Sequence, residues 1–205
     1  MNNDRVLPAR RSIRLRDYDY RSAGAYFVTV CAEGRRCLFG GVGDGSMQLS
    51  ADGELVRRCW QEVPSHFPAV ELDEWQIMPN HLHGILLITQ GPASEAPSSL
   101  HRPQTNRPRP PSPRAGSLAV IVGSFKAAAT RAIRGRIGQP SAAVWQSNYY
   151  EHVIRNEDSL NRIREYVTTN PLRWQLDREN PSRTGDDEFD AWLDSMGGMV
   201  VRAKR

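Results

Sequence analysis

Apolar and polar positions alternate along this chain in patterns that predict strands and helices. Residues 25–31 are rich in β-branched and aromatic side chains and predict a buried strand. Apolar residues at helical spacing predict a helix from about residue 50 to residue 66. Residues 70–89 predict a β-hairpin that turns at Pro79-Asn80. Its second strand is apolar on both faces, which indicates a central strand of a sheet.

The C-terminal half predicts two further helices. The first covers residues 117–133 and resumes the apolar periodicity. The second begins at Asn156, a suitable N-cap, and stops at Asn170 because Pro171 follows. Residues 40–45 hold four glycines and are expected to form a flexible loop. Mixed strands and helices in a chain of 205 residues predict one α+β domain.

Composition divides the chain into a domain and three appendages. Residues 91–116 are rich in proline and serine and almost devoid of large apolar side chains, so they predict a disordered insertion. We expect a basic arm over residues 1–24, the domain over residues 25–178 and a peripheral acidic tail over residues 179–205. The insertion is assigned to the domain because candidate metal ligands lie on both sides of it.

Charge is more informative in its distribution than in its total. The net charge is +4 and the isoelectric point is about 9.2. The N-terminal arm offers candidate phosphate contacts, although a solvated tail is an equally good interpretation of it alone. The arginines concerned are Arg10, Arg11, Arg14 and Arg16.

Cysteine usage and the N-terminal segment indicate the compartment. The three cysteines lack C-x-x-C spacing, which argues against a disulfide framework or a structural zinc site. The first residues contain no apolar h-region, and no apolar run approaches the roughly 20 residues needed to span a bilayer. We therefore expect a cytoplasmic protein with no membrane partner.

The central strand carries a pair of histidines, His81 and His83, on either side of Leu82. Side chains alternate along a strand, so both imidazoles project from one face with Cα atoms roughly 6.6 Å apart. They are placed to share one cation. Structural histidines are the alternative, but two unpartnered imidazoles in an apolar strand would be costly to bury.

The last predicted helix carries Tyr166 and Asn170, one turn apart on one side. A helical tyrosine is usually an amphipathic residue at the edge of a core, and Asn170 is also explained as a helix end before proline. Two imidazoles, a carboxamide and a phenol are together the groups of a metal-assisted tyrosine nuclease. Tyr149 and Tyr150 are rival nucleophiles, for which structural packing is the better interpretation.

A few other polar residues are candidates for contact with DNA. The helix over residues 117–133 and its C-terminal end carry Lys126, Arg131 and Arg134, which offer a partly basic surface. His152 is ambiguous, since it can hydrogen-bond locally or touch DNA.

Three ordered blocks resemble one protein family. They are residues 75–85 (WQIMPNHLHGI), residues 144–156 (VWQSNYYEHVIRN) and residues 163–171 (IREYVTTNP). Together they resemble the REP-associated tyrosine transposases, which belong to the single-tyrosine HUH transposases, and residues 26–30 (YFVTV) look like the first strand of that family. The similarity runs from about residue 26 to residue 174. The proline-rich insertion and the C-terminal tail depart from the family pattern.

The resemblance implies a ferredoxin-like α+β sandwich with a central antiparallel sheet, of the HUH nuclease type. By position, His81 and His83 match the metal-binding pair, Tyr166 the nucleophile, and Asn170 the helix residue that completes the metal site. The implied cofactor is a divalent metal, Mg²⁺ or Mn²⁺, and the implied substrate is single-stranded or hairpin DNA, cleaved through a 5′-phosphotyrosine. The protein would then be nucleoid-associated, and a homodimer is compatible with the sequence.

Two other functions are kept as alternatives. The first is a non-catalytic single-stranded or hairpin nucleic-acid binder on the same scaffold. The second is a rolling-circle initiator or relaxase, which is less favoured because the tyrosine blocks match transposases better.

Overall fold

The computed structural model describes residues 23–89 and 116–196. The described part leaves out residues 1–22, which include Arg10, Arg11, Arg14 and Arg16 of the predicted basic arm. It also leaves out nearly all of the proline-rich insertion and the last nine residues. Within it, no helix is long and apolar enough to cross a bilayer. The three cysteines of the chain are all free thiols.

The described chain contains six strands, five α-helices and two short 3-10 helices (Glu33–Arg35 and Asn170–Arg173). In chain order the strands and α-helices are β1 (Gly24–Cys31), β2 (Gly40–Gly43), β3 (Ser46–Leu49), α1 (Ala51–Gln61), α2 (Val63–His66), β4 (Val70–Ile77), β5 (His81–Ile88), α3 (Leu118–Ile137), β6 (Tyr150–Ile154), α4 (Glu157–Thr169) and α5 (Glu188–Ser195). Four of the strands form an antiparallel sheet in the order β4-β5-β1-β6. The predicted α+β fold with a central antiparallel sheet is therefore confirmed, and β5 is the interior strand expected.

Helices cover both faces of this sheet, and each face has its own hydrophobic cluster. On one face, β1 and β5 side chains such as Val28 and Leu82 pack with α1 and α3. On the other face, Phe27 and Ile85 pack with α4 and α5. Strand alternation produces this division, because neighbouring residues of one strand point to opposite faces. His81 and His83 lie on the same face as Ile85, beneath α4 and α5.

The glycine-rich segment is ordered, which corrects the expectation of a flexible loop. Strands β2 and β3 pair as a two-stranded hairpin. Both residues of its turn, Asp44 and Gly45, have positive φ angles, of 51° and 69°. An Asp-Gly pair with two positive φ values is typical of the tight turn that matches strand twist, so the segment closes a hairpin.

The end of the chain is also part of the packed domain. Helix α5 buries Phe189 and Leu193 in the cluster that contains Phe27 and Ile85. This corrects the expectation that the chain beyond residue 178 is peripheral. The acidic residues that suggested a solvated tail are partly used in folding: the Asp187 carboxylate caps α5 by accepting a hydrogen bond from the backbone N–H of Phe189.

Candidate metal and tyrosine site

Strand β5 brings His81 and His83 to one face, as their spacing predicts, with Leu82 on the other. The two Nε2 atoms are 2.9 Å apart. Both imidazoles are buried, with relative exposures of 0% and 3%. Antiparallel pairing sets Thr29 of β1 opposite His83, and the Thr29 hydroxyl lies 2.9 Å from His83 Nδ1.

A carboxylate completes this pair of imidazoles. The side chain of Asp177 is fully buried, and its Oδ2 lies 3.5 Å from His81 Nε2 and 3.7 Å from His83 Nε2. Its Oδ1 accepts a 2.6 Å hydrogen bond from the backbone N–H of Glu179. Ligand atoms of the three side chains lie within 4.8 Å of one another. Within the described chain these three residues are the group of histidine, cysteine and carboxylate side chains that fits a metal ion.

Asn170 reaches the group through Asp177. Its Nδ2 donates a 2.9 Å hydrogen bond to Asp177 Oδ2, while its Oδ1 is buried and has no hydrogen-bond partner among the described residues. The side chain lies where the helix position predicts, directly after α4. In this structure its amide nitrogen holds the carboxylate in place.

Tyr166 extends from α4 over the histidines. Its hydroxyl lies 3.3 Å from His83 Nε2, and its ring is stacked on Phe189 with 3.7 Å between centroids. The residue is 2% exposed, and burial raises the pKa of its phenol well above the ordinary value. The helix is tied to β4 by two hydrogen bonds from the Arg164 guanidinium to the Asp73 carboxylate. That ion pair fixes the rotation of α4 two residues before Tyr166.

Burial and neighbouring charges set the protonation of the group. Complete burial lowers the pKa of His81 to about 3, although Asp177 acts against this shift. Burial acts to raise the pKa of Asp177, but the two imidazoles and the hydrogen bond from Asn170 outweigh it and hold the pKa below its usual range. At neutral pH the group is therefore a neutral His81 beside an ionised carboxylate.

These side chains fit a divalent cation. Metal binding requires a neutral imidazole and an ionised carboxylate, which is the protonation state described. The Nε2 atoms of both histidines face one another and Asp177 Oδ2, so nitrogen and oxygen donors converge on one place. The unpartnered oxygen of Asn170 is a further unsatisfied acceptor beside them. A mixed nitrogen and oxygen set suits Mn²⁺ better than Mg²⁺, which favours oxygen ligands.

A cavity opens beside the phenol of Tyr166 and contains one rival tyrosine. Thr29, Tyr150, Tyr166, Arg178 and Asp190 are among its lining residues. The Tyr150 hydroxyl is buried and has no hydrogen-bond partner among the described residues, and burial raises its pKa. The sequence kept Tyr150 as a rival nucleophile and favoured a packing role for it; in the structure it lies beside the site.

Two of the four predicted DNA contacts within the described chain, Lys126 and Arg134, form hydrogen bonds with backbone carbonyls. Lys126 lies on α3, across the sheet from the histidines, and its ammonium group donates 2.6 Å and longer hydrogen bonds to backbone carbonyls of residues 146–148. Arg134 on the same helix donates to the Ala142 carbonyl, while Arg131 is exposed. His152 is buried on β6, and burial lowers its pKa, so it is neutral at neutral pH. Lys126, Arg131 and Arg134 therefore stand apart from the tyrosine site. His152 is paired with Phe27 of β1 and so lies on the same face of the sheet as His83.

Sequence reasoning missed Asp177, Thr29 and Asn80 as members of the site. Asp177 lies eleven residues after Tyr166 in a charged stretch that is typical of exposed loops. Thr29 is recognisable only once the register of β1 against β5 is known. Asn80 directly precedes His81 in the sequence, which indicated only that it forms part of the turn.

Comparison with known proteins finds a sequence relative and several similar solved structures. No protein-family model matches the chain. A protein of Haemophilus influenzae described as uncharacterised is 42% identical over 169 residues, covering 82% of this chain and 92% of the relative. The structure of a REP-associated tyrosine transposase bound to a REP hairpin matches with a TM-score of 0.53 and 20% identity, over 78% of this chain and 73% of that one. A transposase candidate from Deinococcus radiodurans matches with a TM-score of 0.42 and 14% identity, over 76% of this chain and 95% of that one.

These comparisons confirm the resemblance at the level of the fold. At 20% identity the hairpin-bound transposase shares its architecture with this chain, while the residue roles are argued from the site itself. The chain belongs to the same family as the Haemophilus influenzae protein and has the fold of a REP-associated tyrosine transposase.

Proposed function

We propose that this protein is a metal-dependent transposase-type DNA endonuclease and strand transferase. The observation that carries the proposal is the position of the Tyr166 hydroxyl, 3.3 Å from a histidine that also faces His81 and Asp177. A phenol, two imidazoles and a carboxylate from three separate segments, which are β5, α4 and the segment at Asp177, have no common structural role. They have a common chemical one, which is attack on a phosphodiester beside a bound cation.

In the proposed reaction Tyr166 is the nucleophile. Its oxygen bonds to phosphorus, the bond from phosphorus to the 3′ oxygen breaks, and a 5′-phosphotyrosine and a free 3′-OH result. The phenolic proton leaves and the departing 3′ oxygen gains a proton, so charge and atoms balance. The number of phosphoester bonds is unchanged, so a 3′-OH can reverse the attack and join strands without ATP.

The residues of the chain prepare this step. His81, His83 and Asp177 would hold the divalent ion, and Asn170 would orient Asp177 or add its oxygen as the ligand that the family pattern implies. A bound divalent ion supplies polarisation of the scissile phosphate and offsets charge that develops on it. Tyrosine is a weak nucleophile at neutral pH, since its ordinary pKa is near 10 and burial raises it further here. Polarisation of the phosphate would therefore compensate for the low nucleophilicity of the buried phenol.

We further propose single-stranded DNA with an imperfect hairpin as the substrate. The similar transposase was solved bound to a REP hairpin, and the same chemistry would suit this chain. Phosphate contacts are assigned to the N-terminal arginine arm, with a smaller contribution from the exposed Arg131. His81, His83, Asp177 and Tyr166 all come from one chain, so the chemistry does not require the homodimer that the sequence allows.

Formation of a covalent protein–DNA adduct tests this proposal. The full-length protein is incubated with a labelled single-stranded hairpin and Mn²⁺ or Mg²⁺ and resolved on a denaturing gel. We expect a metal-dependent adduct that Tyr166→Phe abolishes, while DNA binding by that variant stays nearly intact because the packed ring remains. Tyr150→Phe is the matched control, since it removes a second buried hydroxyl from the same cavity. An adduct that survives in Tyr166→Phe and disappears in Tyr150→Phe would reverse the two roles.

The alternative of a non-catalytic hairpin binder gives a different result. Such a protein would bind the hairpin without an adduct in any metal, and Tyr166→Phe would change nothing. The convergence of the phenol on the histidines argues for the enzyme, because hydrogen bonding to DNA needs no buried tyrosine at a metal-binding group.

A further inference from the structure

Asn80 makes three hydrogen bonds from a position that is completely buried. Its Nδ2 lies 3.1 Å from the Arg35 carbonyl and 2.7 Å from the Glu179 carbonyl. Its Oδ1 lies 2.8 Å from His81 Nδ1. The side chain thus joins three segments: the turn before β5, the turn after β1 and the segment that follows Asp177.

The two carbonyls determine the direction of every hydrogen bond in this group. A backbone carbonyl can only accept, so the atom that faces both of them must be the amide nitrogen of Asn80. The atom that faces His81 is then the amide oxygen, which also can only accept. His81 Nδ1 must therefore carry the proton and donate it. A neutral imidazole has one N–H, so His81 Nε2 is left with a free lone pair.

His83 is constrained only through His81. Since His81 Nε2 has no proton, the 2.9 Å contact between the two Nε2 atoms makes His83 Nε2–H the donor in the metal-free protein, and His83 Nδ1 then accepts from the Thr29 hydroxyl. That hydroxyl can also accept, so His83 can move its proton to Nδ1 when a cation binds, whereas His81 is already in the ligand form.

We infer that Asn80 is a positioning residue that holds His81 in its Nδ1–H tautomer and docks the segment carrying Asp177. The inference rests on the proposed metal site, and it concerns how the site is prepared. One amide acts on two of the three metal-binding side chains: on His81 directly, and on Asp177 through the Glu179 carbonyl two residues later.

The loss of Asn80 would favour a competing arrangement. If His81 took the Nε2–H tautomer, its N–H would point at His83 Nε2, which is 2.9 Å away. His81 would then be the donor of the hydrogen bond between the two histidines, and cation binding would require its proton to move to Nδ1, where the Asn80 oxygen would no longer accept it. Partners that orient metal-binding histidines typically contribute 10- to 100-fold in metal affinity, and we expect a loss of that order here.

The tautomer is measured directly by long-range ¹H–¹⁵N NMR of the metal-free full-length protein. We expect His81 with a protonated Nδ1 and a bare Nε2 at pH 7. Finding the proton on His81 Nε2 would overturn the inference, and this measurement needs no variant that has to fold.

Three variants separate the two actions of Asn80, each checked for folding by circular dichroism. Asn80→Ala should increase the Nε2–H form of His81 and weaken Mn²⁺ binding about 10- to 100-fold by calorimetry. Asn80→Asp retains an acceptor for Nδ1–H but cannot donate to the carbonyls, so it should keep the tautomer and still weaken binding. Asn180→Ala is the matched control: Asn180 is a buried amide that braces the same segment through Trp174 and Ser182 without touching His81.

The outcomes distinguish this inference from the proposed function. A folded Asn80→Ala with unchanged tautomer and unchanged Mn²⁺ affinity would refute the role of Asn80, even if the parent forms the DNA adduct. Conversely, a parent that shows the expected tautomer and binds Mn²⁺ but forms no adduct would refute the nuclease and leave the role of Asn80 intact. Equal losses of Mn²⁺ affinity in Asn80→Ala and Asn180→Ala would show that Asn80 only stabilises the segment that carries Asp177. That result would also refute the inference.

Discussion

Replacement of Asp177 by asparagine tests which residue supplies the anionic metal ligand. The change keeps the shape of a fully buried side chain and removes the negative charge that faces His81 and His83. The family pattern places the third ligand at Asn170, whereas in the structure Asn170 donates a hydrogen bond to Asp177. The two assignments predict opposite orders of importance for these residues.

The expected effect follows from the charge. A carboxylate about 3 Å from a dication has a Coulomb energy of about 11 kcal/mol at an effective dielectric constant of about 20. Desolvation of both ions offsets most of that energy. We expect Asp177→Asn to lose about 3 kcal/mol of the binding free energy of Mn²⁺, which is a roughly 100-fold or larger rise in Kd. Asn170→Ala should cost less, about 10-fold, because it removes a group that orients the ligand.

The assay is calorimetric or electron paramagnetic titration of the metal-free protein with Mn²⁺ at pH 7. Asp52→Asn serves as the control, since that carboxylate on α1 pairs with Arg136 on α3, across the sheet from the triad. Its Mn²⁺ affinity should match that of the parent. If Asn170→Ala weakened binding more than Asp177→Asn, the charge argument would be wrong and the family's ligand set would apply unchanged.

Three further predictions concern packing, pH and the insertion. Gly84→Ala should destabilise the protein by about 1–3 kcal/mol in urea unfolding, because its Cβ would lie 2.4 Å from a ring carbon of the buried Trp60; Gly123→Ala, in open space, should not destabilise it. Burial raises the pKa of Asp190 to about 6 although Arg178 opposes the shift, so ionising this carboxylate costs folding energy as pH rises from about 4 to 6. Asp190→Asn should then stabilise the protein by about 1–2 kcal/mol at pH 8, allowing for the partial exposure of Asp190, and have little effect on stability at pH 4. Equal changes in stability at pH 8 and pH 4 would contradict the raised pKa. Replacing residues 91–116 with a short Gly-Ser linker should preserve cleavage of saturating DNA, although affinity at physiological salt can fall with loss of its arginines; a folded but inactive protein would assign the insertion to the active site.

Local patterns were sufficient for the elements that carry the site. The H-x-H spacing on an apolar strand placed both imidazoles on one face, because strand geometry depends only on alternation. Asn156 does cap α4 by accepting from the Ser159 N–H, and Pro171 follows its end. Local signals competed in residues 40–45. The glycines indicated a flexible loop, whereas the Asp-Gly pair closes the turn between β2 and β3.

The acidic end of the chain shows where local reasoning failed. Its charge pattern suggested a solvated tail, yet Phe189 and Leu193 fill a cluster beside Tyr166. A charged segment can be a solvated tail or an amphipathic helix packed on the domain. Which of the two forms depends on whether the sheet has an apolar face that the rest of the chain leaves uncovered. That face is formed by β1, β5 and α4 together, so no window of sequence contains it.

The sequence by itself determined the strand that carries the two histidines and the helix that leads from the tyrosine to the asparagine. It also determined the spacing that sets each pair on one side of its element. It also determined the family resemblance, since ordered motifs survive in the linear chain. The tertiary structure alone decided that Asp177 joins the histidines and that Asn80 orients one of them. The physical reason is that burying an ionised carboxylate and fixing an imidazole tautomer both depend on partners distant in sequence. Those partners meet only when the register of the sheet and the packing of α4 are complete.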